Sequence, residues 1–381
     1  MIRLFFAGDF CSTPSTAPIT VSKELRALLD SCDFRCCNFE VPLLPDGATP
    51  IEEHFYQHDD APAFLEGLGF NLFSFANNHA FDYGVEGWRK TVSAFHSGLF
   101  GAGKGEEAYR VKIVEKDGFK IGFLALCFAA RYGALDSFAE ADSYGCAWIN
   151  DLRINHLILE AKKEVDYLVI LPHDGIEYID APLPETMARY RDFIDYGADL
   201  VIGTHPHCPQ GWELYRGKPV FYSLGNFLFN SKTDYAYRAW NRPHWYEGLC
   251  VVISLDETNP AQVSCELIHT RNEGNLELSI DHAAEQAAHQ EQVNRYLADP
   301  KLLRDYLHDA LRPVMLEQEL PILDGSFHRS TLRLAGKRWL WAFWKRLRGK
   351  KVSADGPTSR LMRNDTRRNA VIRMMNDKVL D

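Results

Sequence analysis

Leu200-Val201-Ile202-Gly203-Thr204-His205-Pro206-His207-Cys208-Pro209-Gln210 is the stretch on which the reading of the fold turns. Leu200, Val201 and Ile202 form a short β-rich apolar run, and Gly203 ends it. His205 and His207 follow, parted by Pro206. Proline fixes its own φ and pushes the residue before it toward extended geometry, so this loop is expected to be stiff. Two imidazoles held rigidly at the end of a buried strand suit a transition ion such as Zn, Fe or Mn. Taken alone, the pair also reads as two histidines of a surface loop.

Outward from this stretch, apolar runs and helical spacings alternate. Strands are expected at 2–7, 34–39, 71–76, 119–128 (paired with 111–114) and 167–171, with later ones at 220–222, 249–255 and 262–269. Helices are expected at 21–29, 63–68, 84–95, 151–163 and 184–196. Alternation through the first two thirds implies a layered α/β fold, and the consecutive late strands imply antiparallel pairing. Five of the strands end in residues that ligate metals or move protons. These are Asp9, Glu40, Asn78 with His79, His173, and His205 with His207. Sites in open α/β sheets form beyond the carboxyl ends of strands. Each position has an ordinary structural role available to it, such as a helix cap, an Asx turn or a satisfied core histidine. Five together point instead to N/O ligands for one or two ions, with Glu40 suited to bridge a pair roughly 3.5–4 Å apart.

Composition agrees with a folded, globular body. The 381 residues are 46% hydrophobic and 12% aromatic, enough for one large core or two domains. Nine cysteines, with Cys36 and Cys37 adjacent, are expected to be free thiols in a reducing setting. Met1 leads directly into an apolar strand, with no basic n-region or cleavage site, and no apolar run reaches membrane-spanning length. The expectation is therefore a cytoplasmic protein, with peripheral attachment to the inner membrane face left open. Residues 329–381 carry fifteen Lys/Arg against four Asp/Glu, a net of +11, so the remainder carries 27 against 48, or −21. A body of that sign excludes nucleic acid as its main partner.

Six ordered motifs carry a resemblance. They are Gly8-Asp9, Asn38-Phe39-Glu40, Ala76-Asn77-Asn78-His79 with Asp82-Tyr83-Gly84, His173-Asp174-Gly175-Ile176-Glu177-Tyr178, Gly203-Thr204-His205-Pro206-His207 with Gln210-Gly211, and Tyr222-Ser223-Leu224-Gly225-Asn226-Phe227. Together, over about residues 1–270, they resemble the CapA family of poly-γ-glutamate and capsule synthesis proteins, of the calcineurin-like metallophosphatase superfamily. The resemblance implies a four-layer α/β/β/α sandwich with a metal centre at one sheet edge. It implies that Asp9, Glu40 and His207 hold one divalent ion, and that Glu40, Asn78, His173 and His205 hold a second. It also implies that His79 serves the leaving group, oriented by Asp82. Cys11 stands where classical metallophosphatases carry a histidine, and Glu40 where they carry aspartate. The occupancy of the first position and the role of Cys11, thiolate ligand or unrelated loop cysteine, are therefore left open. Asp174 stands where relatives more often carry an aromatic or small residue.

Glu177 and Tyr178 are expected to orient ligands from behind, with Cys11, Asn38 and Asn77 grouped beside them. Gln210 and Asn226 are expected either to bond substrate or to satisfy loop backbone. His54 and His58 read as solvated, and Gly101-Ala102-Gly103-Lys104-Gly105 as a turn without Walker spacing. Three segments are expected: the metallophosphatase-like domain at 1–280, a helical extension at 281–327 with helical character over 283–312, and a basic Trp-rich tail at 328–381. Residues 333–351 combine eight basic residues with Trp339, Trp341 and Trp344. That composition suits either an anchor on anionic lipid, a synthase-docking segment, or a helix packed on the domain. The functional expectation is a metal-dependent hydrolase of phosphoesterase type in capsule or surface-polymer biosynthesis, acting on a phosphate- or glutamyl-containing substrate. The competing expectations are a non-catalytic assembly or export subunit, and an enzyme of γ-glutamyl amide bonds.

Overall fold

The computed structural model describes residues 1–14, 18–51, 54–128, 142–230, 243–259, 262–271 and 277–314. The basic tail at 328–381 and residues 315–327 of the expected helical extension lie outside the described residues.

The chain opens with β1 (Ile2–Ser12), β2 (Thr20–Val21), α1 (Lys23–Asp30), β3 (Phe34–Phe39), α2 (Ala61–Gly67), β4 (Leu72–Ser74), α3 (Gly84–Ala94) and β5 (Leu99–Phe100). Then come β6 (Ala102–Lys104), β7 (Lys112–Lys116), β8 (Phe119–Cys127), β9 (Tyr144–Cys146), α4 (Ile154–Glu164), β10 (Tyr167–His173), α5 (Pro184–Asp195) and β11 (Leu200–Ile202). The last third adds β12 (Trp212–Tyr215), β13 (Lys218–Phe221), β14 (Asn226–Asn230), β15 (Glu247–Leu255), β16 (Val263–Arg271) and β17 (Glu277–Ile280), followed by α6 (Ala284–Ala298) and α7 (Pro300–Val314).

Among the described residues these strands build two large sheets. One runs β2-β17-β16-β15-β1-β3-β4-β5, with β14 also pairing β1, and the other runs β12-β13-β11-β10-β8-β7. β1 and β8 are near-continuous apolar runs, buried along almost their whole length, as central strands covered on both faces must be. The sheets meet through their inner faces, for example Phe6 of β1 against Phe123 of β8 at a ring separation of 6.4 Å. Helices cover the outer faces. Phe64 of α2 stacks on Phe10 of β1, and Phe95 at the end of α3 packs on Phe39 of β3. α4 and α5 bury Ile154 and Ile158, and Met187 and Tyr190, at the three- and four-residue spacings of one helix face. The expected four-layer α/β/β/α sandwich is the architecture observed, with late antiparallel pairing between β15 and β16.

Several details depart from expectation. β1 does not stop before Gly8-Asp9 but continues to Ser12, because its second half gains a parallel partner in β14. Its register slips against β3 between Phe6 and Asp9, and against β14 between Asp9 and Phe10. Asp9 thus sits at an irregularity inside a strand, where a bulge re-aims a side chain. The helical stretch expected over 283–312 is helical, as two helices, α6 and α7, parted at Asp299-Pro300. Proline lacks the N–H a continuing helix needs and disfavours helical geometry in the residue before it. The two helices bury Val293, Tyr296, Leu303, Leu307 and Leu311 in the main core. Asn294 Oδ1 accepts a bond from the Trp212 N–H of β12. His54 is not solvated: its ring meets Tyr83 edge-on at 5.8 Å. No helix among the described residues is long and apolar enough to cross a membrane.

Candidate metal centre

β1, β3 and β4 run parallel in one sheet, and β8, β10 and β11 run parallel in the other, so the carboxyl ends in each sheet collect at one edge. The side chains expected there do meet. Asp9 and Glu40 are wholly buried, and His173, His205 and His207 are buried around them. One ligating atom each from Asp9, Glu40 and His207 lies within 4.8 Å of the others. His207 Nδ1 is 3.6 Å from Asp9 Oδ2, and its Nε2 is 3.7 Å from Glu40 Oε1. A second group joins the two sheets: His173 Nε2 lies 2.8 Å from Asn78 Oδ1 and 3.2 Å from His205 Nδ1.

Asn38 stands between the groups. Its Nδ2 donates to Asp9 Oδ1 at 2.7 Å and approaches His173 Nδ1 at 3.2 Å and Glu40 Oε2 at 3.5 Å. Asn77 Nδ2 donates to Asn38 Oδ1 and to the Phe39 carbonyl, tying the β4 loop to β3. The main chain is strained where ligands are presented. Six described non-glycine residues have positive φ, and four of them flank or form this centre: Val41 at 70°, Tyr178 at 65°, His205 at 102° and His207 at 57°. A β-branched residue at such a φ is an outlier that the surrounding structure must enforce. The stiffness expected from Pro206 is thus achieved differently, because the residue before it is not extended. His205 instead turns its N–H onto Asp9 Oδ2 at 3.1 Å.

Electrostatically the centre lacks positive charge of its own. Among the described residues the ion-pair partners of Asp9 and Glu40 are histidines. Burial raises the Asp9 pKa, against the pull of His207 and the bond from Asn38. Burial pushes Glu40 far up, with the Asp9 and Glu177 charges adding to it. Burial and the neighbouring imidazoles hold His173 well below its ordinary range, so it is neutral and able to ligate. Glu40 Oε1 is buried with no hydrogen-bond partner. Two dehydrated carboxylates cost several kcal/mol each unless compensated. An acceptor-rich cavity of carboxylate, amide and imidazole donors fits a divalent transition ion.

Beside these groups His79 Nδ1 lies 2.8 Å from Asp82 Oδ2, and the Asn77 side chain holds the His79 N–H. Burial pulls the His79 pKa down, but the charge and hydrogen bond of Asp82 and the charge of Glu177 outweigh it, and the net shift is upward. Cys11 is not on a loop. It lies in β1, packed with Val41, Phe229 and Trp245, and outside the Asp9–Glu40–His207 group. Burial raises its thiol well above the ordinary value, and Glu40, Asp82 and Asp9 raise it further. Asn226 Oδ1 lies 2.9 Å from His207 Nδ1, while Gln210 donates to the Ile179 carbonyl, so both serve protein groups. Tyr178 stacks on His207 at 6.1 Å.

Sequence reading missed three contributors. Gln57 is buried and ties together the Ser12 N–H and the Phe10 and Glu40 carbonyls. Thr204 Oγ1 is 3.0 Å from His173 Nδ1. Trp245 lies over His207 at 5.1 Å. Thr204 stood beside a candidate ligand and was within reach of the sequence. Gln57 and Trp245 had no spacing signal.

A family model described as "Bacterial capsule synthesis protein PGA_cap" matches residues 4–231. Among curated proteins, the capsule biosynthesis protein CapA of Bacillus anthracis is 30% identical over 223 residues, 55% of this chain and 54% of that protein. The PGA biosynthesis protein CapA of Bacillus subtilis (strain 168) is 29% identical over 240 residues, 59% of this chain and 62% of that one. The chain therefore spans only about half to three fifths of the length of these relatives. Among solved structures, a hypothetical protein from Thermus thermophilus aligns at TM-score 0.43 and 17% identity, covering 70% of this chain and 99% of that one. A putative 5'-nucleotidase from Staphylococcus aureus aligns at TM-score 0.43 and 15% identity, covering 78% and 58%.

Proposed function

The chain belongs to the bacterial capsule synthesis family, and from that premise we propose that it is a metal-dependent hydrolase of phosphoesterase type acting in capsule or surface-polymer biosynthesis. The observation that carries the reading is Asp9 and Glu40 buried together against His207, with the Asn78–His173–His205 group adjoining. In this reading Asp9, Glu40 and His207 hold one divalent ion, and Asn78, His173 and His205, sharing Glu40, hold a second.

A bound ion of this kind supplies Lewis-acid activation of water and of the oxygens at the scissile group. The chain's own residues do the rest. Asn38 fixes the Asp9 carboxylate, and Thr204 and Asn38 fix the His173 ring, so the ligands keep their orientation. His79 donates a proton to the leaving group, its pKa raised because the charge and hydrogen bond of Asp82 outweigh burial, while Asp82 holds the ring through Nδ1. Phe55 meets the His79 ring edge-on at 5.3 Å and shields that side from water. The substrate is an ester of phosphate or, as a second class, a γ-glutamyl amide of the polymer.

The test separates an enzyme from an assembly subunit. His79→Ala is expected to retain its metal yet lose about 10²–10⁴-fold of phosphodiester or γ-glutamyl hydrolysis. Metal-loaded wild type that turns over neither substrate class, in cells whose capsule output survives His79→Ala but not loss of a ligand, would favour the non-catalytic reading.

A further inference from the structure

A second group of ligand-bearing side chains lies outside this centre. One ligating atom each from Asp180, His244 and His289 lies within 4.8 Å of the others. They come from three separate places: the connection from β10 to α5, the turn Pro243–Tyr246 before β15, and α6. His244 and His289 both lie beyond the residues 4–231 that the family match covers.

The surroundings are those of a ligand set. Glu247 Oε2 lies 2.8 Å from His244 Nδ1 and 3.4 Å from His289 Nδ1, so one buried carboxylate takes the Nδ1 edge of both rings. Metal-bound histidines characteristically give their second ring N–H to a carboxylate, which fixes tautomer and orientation. The nitrogens that remain are the two Nε2 atoms. His289 Nε2 is buried and has no hydrogen-bond partner, a costly arrangement in a side chain only 11% exposed. The two rings stack 3.6 Å apart with 6° between their planes. One of the two rings must therefore turn about its Cβ–Cγ bond for both Nε2 atoms to meet a single cation.

We propose that Asp180, His244 and His289 form a second cation site of the Zn²⁺ or Co²⁺ class, held in place by Glu247. Two imidazoles and one carboxylate favour a borderline transition ion over Mg²⁺ or Ca²⁺. The site is structural in kind, and its position gives it a bearing on the first centre. His244 adjoins Trp245, whose carbonyl takes the Asn226 amide and whose ring covers His207. Asp180 lies two residues from Tyr178, which packs on both His207 and Trp245. A cation here would pin α6, the Pro243–Tyr246 turn and the Tyr178 segment into one wall beside the first centre.

The proposal stands apart from the assignment of the first centre, and its test keeps them apart. Full-length protein carrying Asp9→Asn with His205→Ala is stripped with chelator and titrated with Co²⁺. One Co²⁺ is expected to bind still, with the visible absorption of a nitrogen-containing site and a rise in unfolding temperature. Adding His289→Gln, which cannot supply the imidazole, is expected to weaken that binding by at least about tenfold and abolish the rise. Asp180→Asn is expected to do the same, and serves where His289→Gln loosens α6, as judged by its metal-free melting. Failure of the first-centre variant to bind Co²⁺, or binding left unchanged by both second-site substitutions, overturns the proposal.

Discussion

Glu40 is wholly buried beside Asp9, and its Oε1 accepts no hydrogen bond. Without a cation this arrangement opposes folding, because the pair must either hold two dehydrated, repelling charges or take up a proton, which is what the raised pKa values of both express. Glu40→Gln is therefore expected to raise the unfolding temperature of chelator-treated protein while cutting metal uptake. The reverse pair of results would make Glu40 a structural carboxylate only. The thiols give a prediction with a definite sign. All nine cysteines are free, and only Cys265 is partly exposed, its pKa raised by burial to about 11. The thiolate is the nucleophile, so at pH 8 a pKa about two units above the ordinary 9.0 leaves roughly a hundredfold less of it. Alkylation of native protein by iodoacetamide should accordingly be slow at pH 8 and speed up as pH rises toward 11. Rapid labelling of one thiol at pH 8, followed by mass spectrometry, would show a reactive cysteine that this structure does not contain.

The elements decide how ligands are aimed. Gly203 ends β11, and a Cβ placed there would come within 2.1 Å of the Tyr222 carbonyl oxygen. Gly203→Ala should cost ~1–3 kcal/mol or more and displace the loop of His205 and His207. Gly67, at the end of α2, has open space around it and an ordinary φ, so Gly67→Ala should be neutral or stabilising by ~0.4–1 kcal/mol. Equal melting losses for the two would remove the packing argument. The elements also mark what sequence could show. Runs such as 119–128 and 167–171 declared buried strands by composition, and the ligands at their ends followed from polar residues placed after apolar ones. The continuation of β1 through Asp9 was hidden, since it depends on β14, more than two hundred residues away. So was the positive φ of His205, which its bond to Asp9 enforces against the preference of a pre-proline residue. The break at Asp299-Pro300 was legible in principle, because proline signals it directly.

For the whole molecule, the charge division is the basis on which we propose the tail as a point of attachment to an anionic surface. A body of net −21 is repelled by anionic lipid, and residues 329–381 at +11 are attracted. The full chain should sediment with anionic liposomes at low salt and release as the Debye length falls from about 10 Å at 0.1 M to about 3 Å at 1 M. Protein cut after Phe327 should stay in the supernatant with its metal content unchanged. Indifference of the full chain to liposomes at low salt would assign the tail tryptophans to protein packing. The measurement that bears most directly on the whole account is a count of transition ions per chain, by elemental analysis of protein purified without chelator. Wild type is expected to hold ions at the Asp9–Glu40–His207 and Asn78–His173–His205 groups, and His173→Ala or His205→Ala to lose at least one. Equal metal content in wild type and both variants would contradict it.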